Sequence, residues 1–437
     1  MTAGQRGTSR LEFWLGCAAV AIPVVVSLWF VRKYGVNVPF WDEWSGVETL
    51  QRSMQGKLTV RQLFLQHNEH RIPVPQLLML LIDRATAMDL RARMAGSWVL
   101  LAATGGLLFL DFHRVHRGEG RVLLRLAPVA WLLLSLRQWE NLLWGWQITL
   151  CSCVFFLVAA LSALTRARSI ALLLLAVAAG ACASFSFSTG LLVWPLGLLI
   201  LLVEKPRLPA SRLLIWALSG AGVFAGYFVG YVKPSHHPTV LYFWLHPGPA
   251  LRYFIASLGS PLAPRLLPAL WAGWFVLIVS VAALLIRRRS SWRSPLPPAL
   301  LVFAFASSAL LTVGRAGFGP EQALSSRYST FTGLGLIGLY LWLIDDGSRL
   351  ARPLIATLLL ALAAAQPGID LSAIREADRL AAGLREDAAA LIHFRQQSDA
   401  RLLRLFPDPA LLRERAAFLE SNHLSVFHRP EPGRPGG

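Results

Sequence analysis

Two adjacent carboxylates, Asp42 and Glu43, stand between Trp41 and Trp44 in the stretch Pro39-Phe40-Trp41-Asp42-Glu43-Trp44, just beyond the first long apolar run. Indole rings settle where lipid headgroups meet hydrocarbon, so the tryptophans read as interfacial anchors. The acids have no such reason to be there. A carboxylate held against an apolar surface loses hydration, gains proton affinity and becomes a candidate general base or metal ligand. The plain alternative is a solvated helix start with Asp42 as N-cap. Downstream, His67-Asn68-Glu69-His70-Arg71 is the densest polar cluster in the chain. Its spacing is not that of a helical zinc motif. Imidazoles beside a guanidinium suit a pocket wall for phosphate, with His67, Glu69, His70 and Arg71 as the candidates, against the alternative of a solvated bend. A third group, Gly314-Arg315 to Ser325-Ser326-Arg327-Tyr328, offers Arg315 and Arg327 to a phosphate and Tyr328 as a further donor. Glu140, Asn141 and Gln147 lie at the ends of apolar runs, where they either cap helices or join the same cavity.

Elements must carry these groups, and composition says what kind. With 55% hydrophobic and 15% charged residues among 437, the chain lies outside the range of soluble domains and reads as an integral membrane protein. Its formal charge of +18 does not point to nucleic acid, because the arginines stand in short groups between apolar runs and form no single patch. Cys17, Cys151, Cys153 and Cys182 all fall within apolar runs and offer no disulfide framework. No small-residue cleavage site follows the first run, which reads as a retained signal-anchor.

The runs predict an all-α polytopic membrane protein with about eleven transmembrane helices, Ile170–Phe187, Leu191–Val203, Thr330–Ile344 and Pro353–Ala365 among them. Lys and Arg concentrate in one alternate set of short connections, which places the N-terminus in the cytoplasm and Asp42 outside. The first outer loop, 32–93, is basic but long enough to escape the charge rule. Its apolar piece Ile72–Ile82, interrupted by Pro73 and Pro75, is too short to cross a core of about 30 Å. The loop predicts two interfacial helices, roughly Glu43–Gln55 and Pro75–Met88, with Gln66–Arg71 between them. The stretch Lys233–Arg265, with His236, His237 and His246 among prolines and aromatics, predicts an interfacial loop or a lid. Residues 1–366 form the transmembrane domain. Residues 367–437 form a helical tail against the outer loops, with a short helix capped by Asp408 and ending before Asn422, and disorder from Pro430 onward.

The early acid pair, the helical outer loop, the span count and the outward arginines resemble the GT-C glycosyltransferases. That superfamily includes protein O-mannosyltransferases, oligosaccharyltransferases and the aminoarabinose transferase of lipid A. More narrowly, Trp41-Asp42-Glu43-Trp44, His67 to Arg71 and Ser325 to Tyr328 resemble a group of bacterial membrane proteins of unassigned substrate placed beside it. The resemblance implies a glycosyltransferase of the bacterial inner membrane working on the periplasmic face, with the C-terminus periplasmic. The donor would be a sugar on a polyprenyl phosphate, the acceptor a glycan, lipid or protein, Asp42 the catalytic base and Glu43 its alternate or partner. No second acid pair of the DxD kind stands in a later outer loop, so no cofactor is fixed and a divalent cation stays an open requirement. Two other classes stay open. A lipid-linked sugar flippase or transporter keeps ionisable residues near the bilayer midplane, and this chain has few. An O-antigen polymerase or ligase would rely on outward Arg and His, which the Lys233–Arg265 loop supplies.

Overall fold

The computed structural model describes residues 10–116, 121–166, 169–203, 209–235, 237–286, 293–346 and 348–428. His236 and the disordered end expected from Pro430 lie outside the described residues. Leu-, Ala- and Val-rich runs satisfy their backbone internally as helices, because hydrocarbon offers no replacement hydrogen bonds. The first five helices are α1 (Arg10–Tyr34), α2 (Glu43–Met54), α3 (Val60–Leu63), α4 (Pro73–Thr86) and α5 (Leu90–Val115). A two-stranded hairpin, Gln66–His67 with His70–Arg71, lies between α3 and α4 and is the only sheet among the described residues. There follow α6 (Val122–Leu133), α7 (Trp139–Leu143), α8 (Ile148–Leu164), α9 (Ile170–Ser184), α10 (Val193–Val203) and α11 (Ala210–Phe228). The rest are α12 (Tyr242–Leu245), α13 (Pro247–Gly259), α14 (Leu266–Ile286), α15 (Leu296–Arg315), α16 (Ser329–Asp346), α17 (Ala351–Ile392), α18 (Asp399–Leu402) and α19 (Pro409–Ser421).

Among the described residues, eight helical stretches are long and apolar enough to cross a membrane: Arg10–Tyr34, Leu90–Val115, Val122–Leu143, Gly145–Leu164, Ala210–Phe228, Leu266–Ile286, Leu296–Phe318 and Ala351–Ile392. The chain is an all-α, multi-pass membrane protein, and eight of its helical stretches, against the eleven or so expected, meet that length and apolarity on their own. Three of the expected runs fall short of that measure. The helix in Ile170–Phe187 stops at Ser184 after 15 residues, about 23 Å of rise, and the one in Leu191–Val203 has 11 residues. The α16 helix is buried along nearly its whole length and ends on Asp345 and Asp346. Helices stand where the two in the first outer loop were expected, as α2 and α4, and the 14 residues of α4 rise about 21 Å, less than a core of about 30 Å.

The helices pack most closely as α15 on α16, α8 on α9, α13 on α14, α5 on α8 and α1 on α6. A Cβ on Gly259 would lie 1.9 Å from the Ala269 carbonyl oxygen, and one on Gly273 1.9 Å from that of Ile255, so α13 and α14 meet backbone to backbone. The expected boundary at 366/367 falls inside α17, a single helix of 42 residues with Pro367 in its interior. The tail therefore continues a spanning helix. It folds back onto the segment between α1 and α5: Leu412, Ala416 and Leu419 join Trp44, Val47 and Leu50 in one buried cluster. Asp408 caps α19 by accepting the Leu411 N–H at 3.0 Å, and Asn422 follows its end.

Candidate functional site

At the end of the bundle where α1 gives way to α2, one cavity of about 180 Å³ gathers residues from seven separated segments. Asp42, His67, Glu69, His70, Gln147, Arg315, Arg327 and Tyr328 all border it, so eight of the twelve side chains singled out by type and spacing meet in one place. Trp146 and Phe187 form apolar wall.

The turn carrying Asp42 is tied down from three directions. Trp41, at φ 49°, occupies the left-handed region, a strained conformation for a bulky side chain. Its N–H donates to the Leu405 carbonyl of the tail at 2.9 Å. The Phe40 N–H donates to Glu43 Oε2 at 2.9 Å, and the Trp144 indole N–H donates to the Phe40 carbonyl at 3.3 Å. Asp42 occupies the N-cap position of α2 without capping it. Its carboxylate turns instead to His67, with Oδ1 3.3 Å from Nε2, and the His67 ring lies 4.9 Å from that of Trp146 between centroids. His67 opposes His70 across the hairpin. The connecting Asn68, at φ 50°, takes the left-handed conformation that asparagine tolerates better than most residues.

Glu69 is enclosed by cations and imidazoles. Arg315 pairs with its Oε1, His70 Nε2 lies 3.4 Å from the same oxygen, and His237 Nε2 lies 3.5 Å from Oε2. Burial alone would raise this carboxyl, but His70 and Arg315 outweigh it and hold Glu69 at about 2. Burial pulls His70 down to about 4, against the raising influence of Glu69. The Ser188 N–H donates to His70 Nδ1 at 3.2 Å, which leaves the proton on Nε2, facing Glu69. The break after α9 thus serves the site, because only a chain that has left the helix can present the Ser188 amide.

With Glu69 and Arg315 satisfied by one another, Asp42 and Arg327 remain for chemistry. Arg327 Nη1 stands 4.0 Å from Glu140, its guanidinium lies over the Tyr328 and Trp144 rings at 5.3 and 5.7 Å, and its buried Nε has no hydrogen-bond partner among the described residues. Such a group is a ready donor to an anion.

Four of the singled-out residues sit behind the cavity. Glu43, 1% exposed, turns into the core beside the bidentate Arg93–Asp83 pair. Two acids and one guanidinium buried together hold one proton too few for neutrality, and burial raises Glu43 to about 7 against the opposing pull of Arg93. Arg71 spends its guanidinium on three carbonyls, those of Tyr227, Phe64 and Val229, and so clamps the frayed end of α11 to the hairpin. Glu140 Oε2 accepts from Ser325 Oγ at 3.1 Å, Ser326 Oγ at 2.8 Å and the Arg327 N–H at 3.1 Å. Asn141 donates to the Arg327 carbonyl at 2.9 Å and to Thr330 Oγ1 at 2.7 Å. These two place Arg327 and Tyr328.

The trio's Asp83 and Arg93 escaped the sequence reading, although an ionised pair flanking an apolar segment was its available signal. Among the described residues no group of three or more His, Cys, Asp or Glu side chains is arranged to hold a metal ion. Comparison with known proteins adds no relative: no family model, no curated protein and no solved structure matches the chain.

Proposed function

We propose that the chain is a membrane glycosyltransferase that moves a sugar from a polyprenyl-phosphate donor to an envelope acceptor on the outer face of a bacterial inner membrane. The observation that carries the reading is the gathering of Asp42–His67 with Arg327 and Tyr328 around one cavity at the end of a helical bundle. Sugar transfer with inversion needs a base on the acceptor hydroxyl and positive charge on the departing phosphate. In this reading the acceptor oxygen bonds to the anomeric carbon as the carbon–phosphate-oxygen bond breaks. The hydroxyl proton passes to Asp42, His67 steadies that carboxylate, and Arg327 with Tyr328 receives the polyprenyl phosphate. Glu69, held near 2 and paired to Arg315, is a poor proton acceptor and serves to fix the hairpin. The orientation follows from the arginine distribution, with the cavity end outside.

The test is mass spectrometry of envelope glycans and polyprenyl-linked sugars in cells carrying the wild type, no protein, or Asp42→Asn at matched expression. Loss of a glycan with accumulation of its lipid-linked donor in both defective strains is the expected result and names the substrate. If Asp42→Asn behaves as wild type while deletion alone alters the glycans, Asp42 is not the base and the flippase or ligase classes return.

A further inference from the structure

A second hollow runs along the flank of the bundle between α6, the turn at Pro261–Arg265 and α17. One part, about 410 Å³, is apolar: Leu124, Trp131, Leu359 and Leu362 line it, with Ser135 and Gln366 as its few polar contributors. At Ile369 it continues into two hollows of about 550 and 540 Å³, largely apolar but with charged side chains on their walls, which share Arg265 and Glu376; Arg375 borders the second. From Leu359 to Ile369 the apolar trough follows α17 for about 15 Å, the depth of one leaflet of a core about 30 Å thick. Arg265 and Arg375 are exposed and make no ion pair among the described residues, whereas Glu376 is engaged by Arg379 at 2.8 Å. An apolar channel of leaflet depth that ends at two free guanidinium groups is complementary to an acyl chain with a phosphate at its head.

We propose that this groove holds one glycerophospholipid of the surrounding leaflet, its phosphate on Arg265 and Arg375 and an acyl chain along the trough. A wall separates this lipid from the chemistry. Ser325 and Ser326 border the groove, Arg327 and Tyr328 border the Asp42 cavity, and Glu140 stitches that segment in place. A phosphate at Arg265 therefore lies behind the wall from Asp42, which assigns the groove to a lipid of the bilayer and not to the reacting one. The assignment needs only that the chain spans a membrane, so it stands or falls separately from glycosyl transfer.

The experiment is native mass spectrometry of the full chain purified from membranes in mild detergent. It compares the wild type with the double variant Arg265→Gln/Arg375→Gln and with Ala363→Trp, which fills the trough at an exposed position without changing charge. One retained glycerophospholipid in the wild type is expected, with occupancy about tenfold lower in both variants at unchanged thermal midpoint. A wild type with no retained lipid, or equal retention by all three proteins, overturns the proposal. So does retention of a polyprenyl phosphate that the same substitutions remove, because the groove would then belong to the substrate.

Discussion

Replacing Glu43 with Gln tests the account of the acid pair most directly. Glu43 is enclosed beside Arg93 and Asp83, and its carboxyl is raised from 4.5 to about 7, first by burial. A carboxyl whose folded pKa lies above its unfolded value is protonated in the folded state while the unfolded chain has already released the proton. Stability is therefore full below about pH 4.5 and falls as pH rises toward 7, after which it is level. The distance between the two values corresponds to about 3 kcal/mol. Glu43→Gln removes the titration and keeps an oxygen that can accept the Phe40 N–H. The amide adds its own fixed cost, since one of its donors faces Arg93, but that cost does not vary with pH. Thermal unfolding in detergent at pH 5 and pH 8 should show the variant gaining on the wild type by about 2.5 kcal/mol between them, the part of the shift that lies inside that window. Transfer activity should change far less than with Asp42→Asn. A gap between variant and wild type that is the same at both pH values would refute the buried-proton account. Abolished transfer at unchanged stability would instead restore Glu43 to the catalytic pair.

Arg327→Gln should lower kcat by roughly 10²–10³ with little change in KM if Arg327 meets charge only as the phosphate departs, and single-turnover kinetics will separate the two. Arg327→Lys should recover part of the loss, because an ammonium lacks the planar fork. Glu140→Ala removes the acceptor of three hydrogen bonds and should cost about 2–3 kcal/mol, seen as a lower melting point together with new protease cleavage near Ser325. If neither changes, the carboxylate does not hold that segment. Gly273→Ala forces a Cβ to 1.9 Å from the Ile255 carbonyl oxygen, so α13 and α14 must part, at a cost above the usual 1–3 kcal/mol of overpacking. A normal yield of monodisperse Gly273→Ala protein would show that this contact is looser than described.

Much of the fold was legible because its signals are local. Apolar runs mark α1, α5, α8 and α14, prolines and the acid pair bound α2 and α4, and Asp408 with Pro409 announces α19. Each of these depends on neighbours within a few turns. Helix length was harder, since an apolar run does not say where its helix stops. The α9 helix stops at Ser184, and four residues on the Ser188 N–H meets His70, a contact made from far away in sequence. Pro367 reads as a break, yet α17 passes through it without interruption.

The site divides along the same line. Residue type alone singled out Asp42, His67, Glu69, His70, Arg315, Arg327 and Tyr328, because polar groups are scarce enough in such a chain to stand out. Their roles were decided by the tertiary structure. Neighbouring residues at a helix start point about 100° apart, so Asp42 looks into the cavity while Glu43 looks into the core, and no one-dimensional pattern says which. Arg71 and Arg327 have the same side chain and the same neighbourhood of membrane-end loops. One is consumed by three carbonyls at the end of α11, and the other is held open by Glu140 and Asn141. The sequence determined which charges the membrane end of this protein carries. Only the packing of distant segments decided which are neutralised by partners and which remain free, because pairing depends on a few ångströms that chain separation does not encode.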